Sequence, residues 1–231
     1  MKITILHGSP RKGNTNFAVQ IFKEELSKCG DIDFREFFFP RDLPEFCTGC
    51  TICMGGLPES CPHAQYVRPI LSALLDSDAL IIAAPHYGAS AMPAGLKTFF
   101  DHLDFLTLTV TPRKEMFSKK AFIITTATGS KAAIASIKSC LKNWGINRAY
   151  SYGIRMLTNK WDKMSQAKQQ KIESVLRRKA RFFYNAKQGK PYISTIFMYH
   201  MSKFILRRYV GKDSYPYKYW TEQGWFFKRP F

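Results

Sequence analysis

The stretch Ile3-Thr4-Ile5-Leu6-His7-Gly8-Ser9-Pro10-Arg11-Lys12-Gly13-Asn14-Thr15-Asn16 decides how the rest of the chain is read. Residues 3–6 are an apolar, β-branched run and read as a strand. From Thr15 an amphipathic pattern begins, with Ala18, Ile21, Phe22, Leu26 and Cys29 on one face at helical spacing. Between the two lies a loop of glycine, serine, arginine, asparagine and threonine. A strand that enters such a loop and leaves it as a helix is built to hold an anion. The unpaired backbone N–H groups of the first helical turn face the ligand, and hydroxyl and amide side chains meet its remaining acceptors. No Gly-Lys-Ser/Thr follows the glycines, which excludes the ATP-type phosphate loop, and the three-glycine dinucleotide fingerprint is absent. The loop reads as a cradle for a single terminal phosphate.

Outward from this loop, strand-like and helix-like runs alternate. Residues 31–38 read as a second strand, and 66–75 carry Val67, Ile70, Leu71 and Leu74 at helical spacing. Residues 79–84 form a continuous apolar strand ending at Pro85, and 95–106 a helix with Leu96, Phe99, Phe100 and Leu103 on one side. A fourth strand at 121–126, a helix at 131–144 closed by Gly145, a fifth strand at 148–156 and a long basic helix at 163–186 complete the series. Continuous apolar strands between helices imply a parallel sheet covered on both faces. Five βα units within roughly 190 residues fit an open, doubly wound, five-stranded α/β sheet rather than an eight-fold barrel. Ligands of such sheets lie beyond the C-terminal strand ends, where the strand order reverses. That rule gathers the loops at 8–16, 85–93 and 126–130 on one rim. Residues 1–187 are expected to form this domain, and 188–231 a basic, aromatic C-terminal extension.

The charge follows the same division. The chain of 231 residues carries a net +18, but residues 1–150 hold 17 Lys/Arg against 13 Asp/Glu, whereas residues 151–231 hold 18 against 4. A charge placed this way bears on partners and solubility rather than on chemistry. Residues 1–10 begin a strand instead of a signal peptide, and no apolar run reaches the ~18 residues of a membrane span, so a cytoplasmic protein is expected.

A second loop, Pro85-His86-Tyr87-Gly88-Ala89-Ser90-Ala91-Met92-Pro93-Ala94-Gly95-Leu96-Lys97, follows the third strand. Its prolines and glycine keep it irregular, Tyr87 and Met92 offer flat apolar surface, and its small residues let a planar ring approach the backbone. Residues 126–130 (Thr-Ala-Thr-Gly-Ser) add hydroxyls on the same rim. With Gly-Ser-Pro-Arg-x-x-Asn-Thr-Asn after strand one, and Pro-x-Tyr-Gly…Pro-x-x-Leu-Lys…Phe-x-Asp after strand three, residues 1–155 resemble the flavodoxin-like NAD(P)H-dependent FMN reductases. The resemblance implies that Ser9, Arg11, Asn14, Thr15 and Asn16 hold the FMN phosphate. It implies that Pro85, Tyr87 and Gly88 line the isoalloxazine ring, with Thr128 and Gly129 closing the other side. His86 stands where the family more usually has an aliphatic residue.

Four of the six cysteines fall within fifteen residues as Cys47-x2-Cys50-x2-Cys53-x7-Cys61. Zinc sites commonly pair Cys-x2-Cys knuckles far apart in sequence, whereas three cysteines at three-residue steps, with a fourth followed by proline, match a four-iron loop with a longer last gap. Free or redox-active thiols, or thiols at a dimer contact, are the alternatives. The iron–sulfur flavoproteins, a subgroup of the same family, carry a loop of this type after strand two. That resemblance makes Cys47, Cys50, Cys53 and Cys61 the ligands expected for a 4Fe-4S cluster. Cys29 and Cys140 read as core residues. His63 reads as a surface or capping residue, with a spare-ligand role as the alternative, and His7, His102 and His200 read as structural.

In the extension, Ile193, Ile196, Phe197, Met201, Phe204 and Ile205 form one helical stripe, with Lys203 and Arg207 off it. The tail from Tyr215 to Phe227 is too aromatic for ordinary disorder. Packing on its own subunit or a dimer mate is the first reading, with an anionic membrane surface or nucleic acid as the others. No nucleic-acid module is recognisable, so none is expected as a partner. Two functions therefore stand at this point. One is an FMN oxidoreductase fed by NAD(P)H or a redox partner, working as a dimer or higher oligomer, with an acidic partner such as ferredoxin and no side chain needed as acid or base. The other is a non-catalytic redox-sensing or binding module that uses the basic extension.

Overall fold

The structure, a computed structural model, describes residues 1–56, 58–85, 92–127, 129–158, 160–187 and 191–231. Five strands, β1 (Lys2–His7), β2 (Asp33–Phe38), β3 (Ala79–Pro85), β4 (Lys120–Ala127) and β5 (Arg148–Arg155), form one parallel sheet in the order β2-β1-β3-β4-β5. The order reverses between β1 and β3, as the sequence predicts for a doubly wound, flavodoxin-like sheet. The helices are α1 (Asn14–Cys29), α2 (Ala64–Asp76), α3 (Ala94–His102), the single turn α4 (Lys114–Phe117), α5 (Lys131–Asn143), α6 (Gln166–Asn185), α7 (Ile193–Tyr209) and α8 (Tyr215–Glu222).

The period of two along each central strand splits its side chains between two cores. Ile3, Ile5, Ile81, Phe122 and Ile124 meet Val19, Phe22 and Leu26 of α1 and Leu176 and Phe183 of α6. Their neighbours Leu6, Leu80, Ile82 and Ile123 meet Ile70 and Leu74 of α2, Leu96 and Phe99 of α3, and Leu141 of α5. Both faces of β3 are therefore dry, which is why it reads as an unbroken apolar run. Lys120, although buried, is satisfied: its Nζ donates to the carbonyls of Phe183 (2.6 Å), Tyr184 (2.9 Å) and Ala186 (2.8 Å) and so caps the end of α6.

The helix expected across 95–106 is broken. It ends at His102, and after Leu103 a separate 3₁₀ turn runs over Asp104–Leu106, which buries Phe105 and Leu106. Helix α8 was not anticipated, although Ser214 at its N-cap and Pro216 in its first turn are a start signal. The extension has a small core of its own, built from Tyr199, Leu206, Trp220, Trp225 and Phe226. In α7 the stripe seen in the sequence faces outward: Ile193, Phe197, Met201 and Phe204 are exposed, and Thr195, Tyr199, Ser202 and Leu206 face inward. Specific hydrogen bonds set this rotation. Tyr199 donates from its hydroxyl to Trp225 O (2.7 Å), and Thr195 Oγ1 donates to Asn147 Oδ1 (2.6 Å).

Asn147 is the joint between sheet and extension. Its Oδ1 also accepts from the Tyr192 backbone N–H (3.0 Å), and its Nδ2 donates to Gly145 O (2.9 Å). Asn147→Ala is expected to destabilise the chain by about 2–4 kcal/mol, because it leaves buried donors unpaired. Hydrogen exchange should show the loss concentrated in residues 191–231, with β1 and β3 unaffected.

Candidate functional site

The register places His7, Pro85 and Ala127 at the same end of neighbouring strands, so the chain leaves all three strands on one rim. Gly8 turns the chain there under tight constraint. Its N–H donates to Ala83 O (2.8 Å), and a Cβ at this position would lie 3.3 Å from Ala83 O, Leu96 Cβ and Pro93 Cγ. A side chain here would need the strand and α3 to give by a few tenths of an ångström.

Helix α1 then starts in a form suited to an anion. Gly13 occupies its N-cap with no side-chain cap, and its first turn holds no acidic residue. The positive end of the helix dipole is thus left for a ligand. Among the expected phosphate residues, Ser9 is buried against the loop and its Oγ accepts from the Arg11 N–H (3.3 Å), while the Arg11 side chain is at the surface. Thr15 is buried and shares a 2.5 Å hydrogen bond with Thr126 Oγ1, which ties the first loop to the end of β4. Asn14 Nδ2 donates to Thr158 O (3.1 Å), binding the loop to the segment after β5. Asn16 Oδ1 is buried and has no hydrogen-bond partner among the described residues. A buried amide oxygen left this way costs about 1–3 kcal/mol, and a ligand hydroxyl would satisfy it. These features fit a phosphorylated, hydroxyl-bearing ligand such as FMN.

Pro85 ends β3 half-buried, and Gly129 is exposed beyond β4 with open space around it. Tyr87, Gly88 and Thr128, with His86, lie outside the described residues. Thr126, near the end of β4, and Thr158, in the segment after β5, brace the loop between β1 and α1 from far away in sequence.

Glu36, on β2, steadies the same end of β1. Its carboxylate accepts from His7 Nε2 (2.8 Å) and pairs with Lys23, and the His7 ring stacks on Phe38 with centroids 4.0 Å apart. The hydrogen bond from His7, and then Lys23, hold the carboxyl down to about 2 against burial. A depressed carboxyl stabilises the fold above its unfolded value near 4.5 and loses that contribution as pH falls toward 2. Glu36→Gln is expected to lower stability at pH 7 by about 1–2 kcal/mol. The gap from the parent chain should close between pH 4.5 and 2 in denaturant titrations, and a gap independent of pH would contradict the assignment.

The cysteine loop lies between β2 and α2. Cys47, Cys50, Cys53 and Cys61 line one small hollow, together with His63 and His102, and all four are free thiols. The loop takes a tight path: Gly49 (φ +67°), Thr51 (φ 59°) and Gly56 (φ +136°) all adopt left-handed backbone. A Cβ at Gly56 would come within 3.2 Å of the Tyr215 ring, so glycine lets α8 close over the loop. Burial first, and then the neighbouring sulfurs of Cys61, Cys47 and Cys50, push the Cys53 thiol up. Four sulfurs around one hollow, with Cys53 kept from ionising by burial and by its neighbours, fit a cationic occupant, which would relieve the repulsion. The donor set and its convergence fit a 4Fe-4S cluster.

Comparisons with known proteins bear on the family and the fold. The family model for NADPH-dependent FMN reductase matches residues 1–159. An iron-sulfur flavoprotein of Archaeoglobus fulgidus is 31% identical over 88 residues, covering 38% of this chain and 41% of that protein. The chain thus spans about two fifths of the length of this curated relative. Among solved structures, the NAD(P)H:quinone oxidoreductase from Methanothermobacter marburgensis superposes with a TM-score of 0.62 at 17% identity, over 79% of this chain and 98% of that one. An apo NADH:FMN oxidoreductase gives 0.56 at 19% identity, over 82% and 91%. These two likenesses establish the shared fold. Because the family model spans the whole sheet and the loop between β1 and α1 at its switch point, the chain belongs to the NADPH-dependent FMN reductase family.

Proposed function

We propose that this chain is an FMN-dependent oxidoreductase that draws electrons from NAD(P)H and passes them on through a 4Fe-4S cluster held by Cys47, Cys50, Cys53 and Cys61. The observation that carries the reading is the uncapped, acid-free start of α1 at the switch point, with the buried Asn16 oxygen awaiting a donor. Bound FMN supplies hydride acceptance and onward electron transfer. The chain's own work is positional. Gly8 keeps the loop low over the sheet, the N–H groups at the start of α1 and Arg11 meet the phosphate, and Thr15–Thr126 and Asn14–Thr158 hold the loop still. No side chain is required to move a proton. The test is anaerobic mixing of the FMN-loaded chain with NADH or NADPH. Bleaching of the flavin absorbance by one of them supports the reading, and a loaded flavin left oxidised by both contradicts it.

The partner proposed is acidic. The outward stripe of α7 stands beside His200, Lys203, Arg207 and Arg208, which line a shallow pocket with Phe204. A second copy of the chain carries the same +18 charge, whereas an acidic redox protein would complement it. Among the described residues no helix is long and apolar enough to cross a membrane. Electron transfer to such a protein is expected to slow by about ten-fold in Arg207→Glu/Arg208→Glu and to fall as salt rises. Flavin reduction by the nicotinamide should be unchanged in the same variant, and stopped-flow traces of the two steps separate them.

A further inference from the structure

The four-cysteine reading leaves two histidines of the same hollow without a task. His102, at the end of α3, is buried, and its Nδ1 lies 2.9 Å from Thr98 O. A carbonyl only accepts, so Nδ1 carries the proton and Nε2 presents a lone pair. That lone pair faces His63 Nδ1 at 2.9 Å. Cys61 Sγ completes a group whose three ligand atoms all lie within 4.8 Å of one another. Anchoring one ring nitrogen on a backbone carbonyl is how metal-binding histidines are oriented and fixed in one tautomer. In a tetrahedral zinc site, Zn–N of about 2.0–2.1 Å and Zn–S of about 2.3 Å set neighbouring donors about 3.3–3.6 Å apart. The His63–His102 pair opens from 2.9 Å to match, and Cys61 Sγ already lies within 4.8 Å of both nitrogens. Cys61 and His63 are only half-buried, so the ion has a way in.

We propose that Cys61 Sγ, His63 Nδ1 and His102 Nε2 form a site for a single zinc-class divalent cation, with a further cysteine of the loop as fourth ligand. On binding, the Cys61 thiol and the fourth thiol each release a proton to solvent, and His63 moves its proton from Nδ1 to Nε2. The ion–sulfur and ion–nitrogen bonds form without any change of oxidation state. Cys61 is shared with the cluster reading, so the two occupants exclude each other. The site is argued from the histidines and is independent of the flavin.

The test is titration of the anaerobic, reduced and chelator-stripped full chain with Co²⁺, followed by Zn²⁺. The expected result is tetrahedral cobalt absorption saturating at one equivalent and bleached by zinc. His63→Gln and His102→Asn should each weaken Co²⁺ binding by at least ten-fold, and both should still take up iron and sulfide on reconstitution. His63 is half-buried and its side chain makes no capping bond to α2, so His63→Gln is the milder of the two substitutions, and a melting curve shows that it folds. Absence of tetrahedral bands in the parent chain, or unchanged Co²⁺ affinity in His63→Gln, overturns the proposal. Failure of the parent chain to take up iron would count against the cluster and leave the cobalt result standing.

Discussion

Replacing Arg11 by alanine is expected to weaken FMN binding by about 10–100-fold and to leave riboflavin binding nearly unchanged. The two ligands differ only by the phosphate, so their ratio isolates the loop at 8–16 from the ring site. Arg11 is a surface guanidinium beside the uncapped start of α1. Charge-assisted hydrogen bonds to a phosphate are worth about 1.5–3 kcal/mol, which is the quoted range of affinity. Asn16→Ala should add a smaller loss by removing the buried acceptor, and it should affect riboflavin as well as FMN, since both carry ribityl hydroxyls. Flavin fluorescence titration at fixed salt measures all four affinities. Equal losses of FMN and riboflavin in Arg11→Ala would show that the arginine does not meet the phosphate.

The second large effect concerns iron. Cys47→Ser is expected to reduce reconstituted iron from about four per chain to nearly none, with flavin content intact because the loop at 47–61 and the loop at 8–16 are held by different contacts. Cys50, Cys53 and Cys61 should behave alike. Cys29→Ser and Cys140→Ser are the controls. Cys29 Sγ donates to Glu25 O (3.3 Å) within α1, and Cys140 packs against the core from α5, so neither faces the hollow. Acid should hinder assembly, because the ligands must be deprotonated and Cys53 is held protonated to higher pH than an ordinary thiol. Full iron loading in Cys47→Ser would leave the hollow without its proposed occupant.

The sheet was legible because its inner strands are buried on both faces, and 79–84 or 121–126 can hardly be anything else. The strand–loop–helix turn at 7–14 was legible because the apolar run, the glycines and the amphipathic spacing fall within a few residues of one another. The break in α3 was hidden, since 95–106 keeps its apolar spacing through Leu103 and only the carbonyl pattern reveals the 3₁₀ turn. The His63–His102 pair lies 39 residues apart. It depends on how α3 packs beside α2, which no local pattern encodes. The rotation of α7 was equally invisible, because the stripe with the most apolar area lost to one anchored by Asn147 and Trp225. Hydrophobic spacing identifies a helix and its faces, but the buried hydrogen bonds decide which face turns inward.

The most direct test of the account is the visible spectrum of the anaerobically purified chain, with flavin, iron and sulfide measured on the same sample. Flavin bands over a broad iron–sulfur absorbance are expected, with one FMN and stoichiometric iron and sulfide per chain. A colourless chain that also fails to bind added FMN would contradict it.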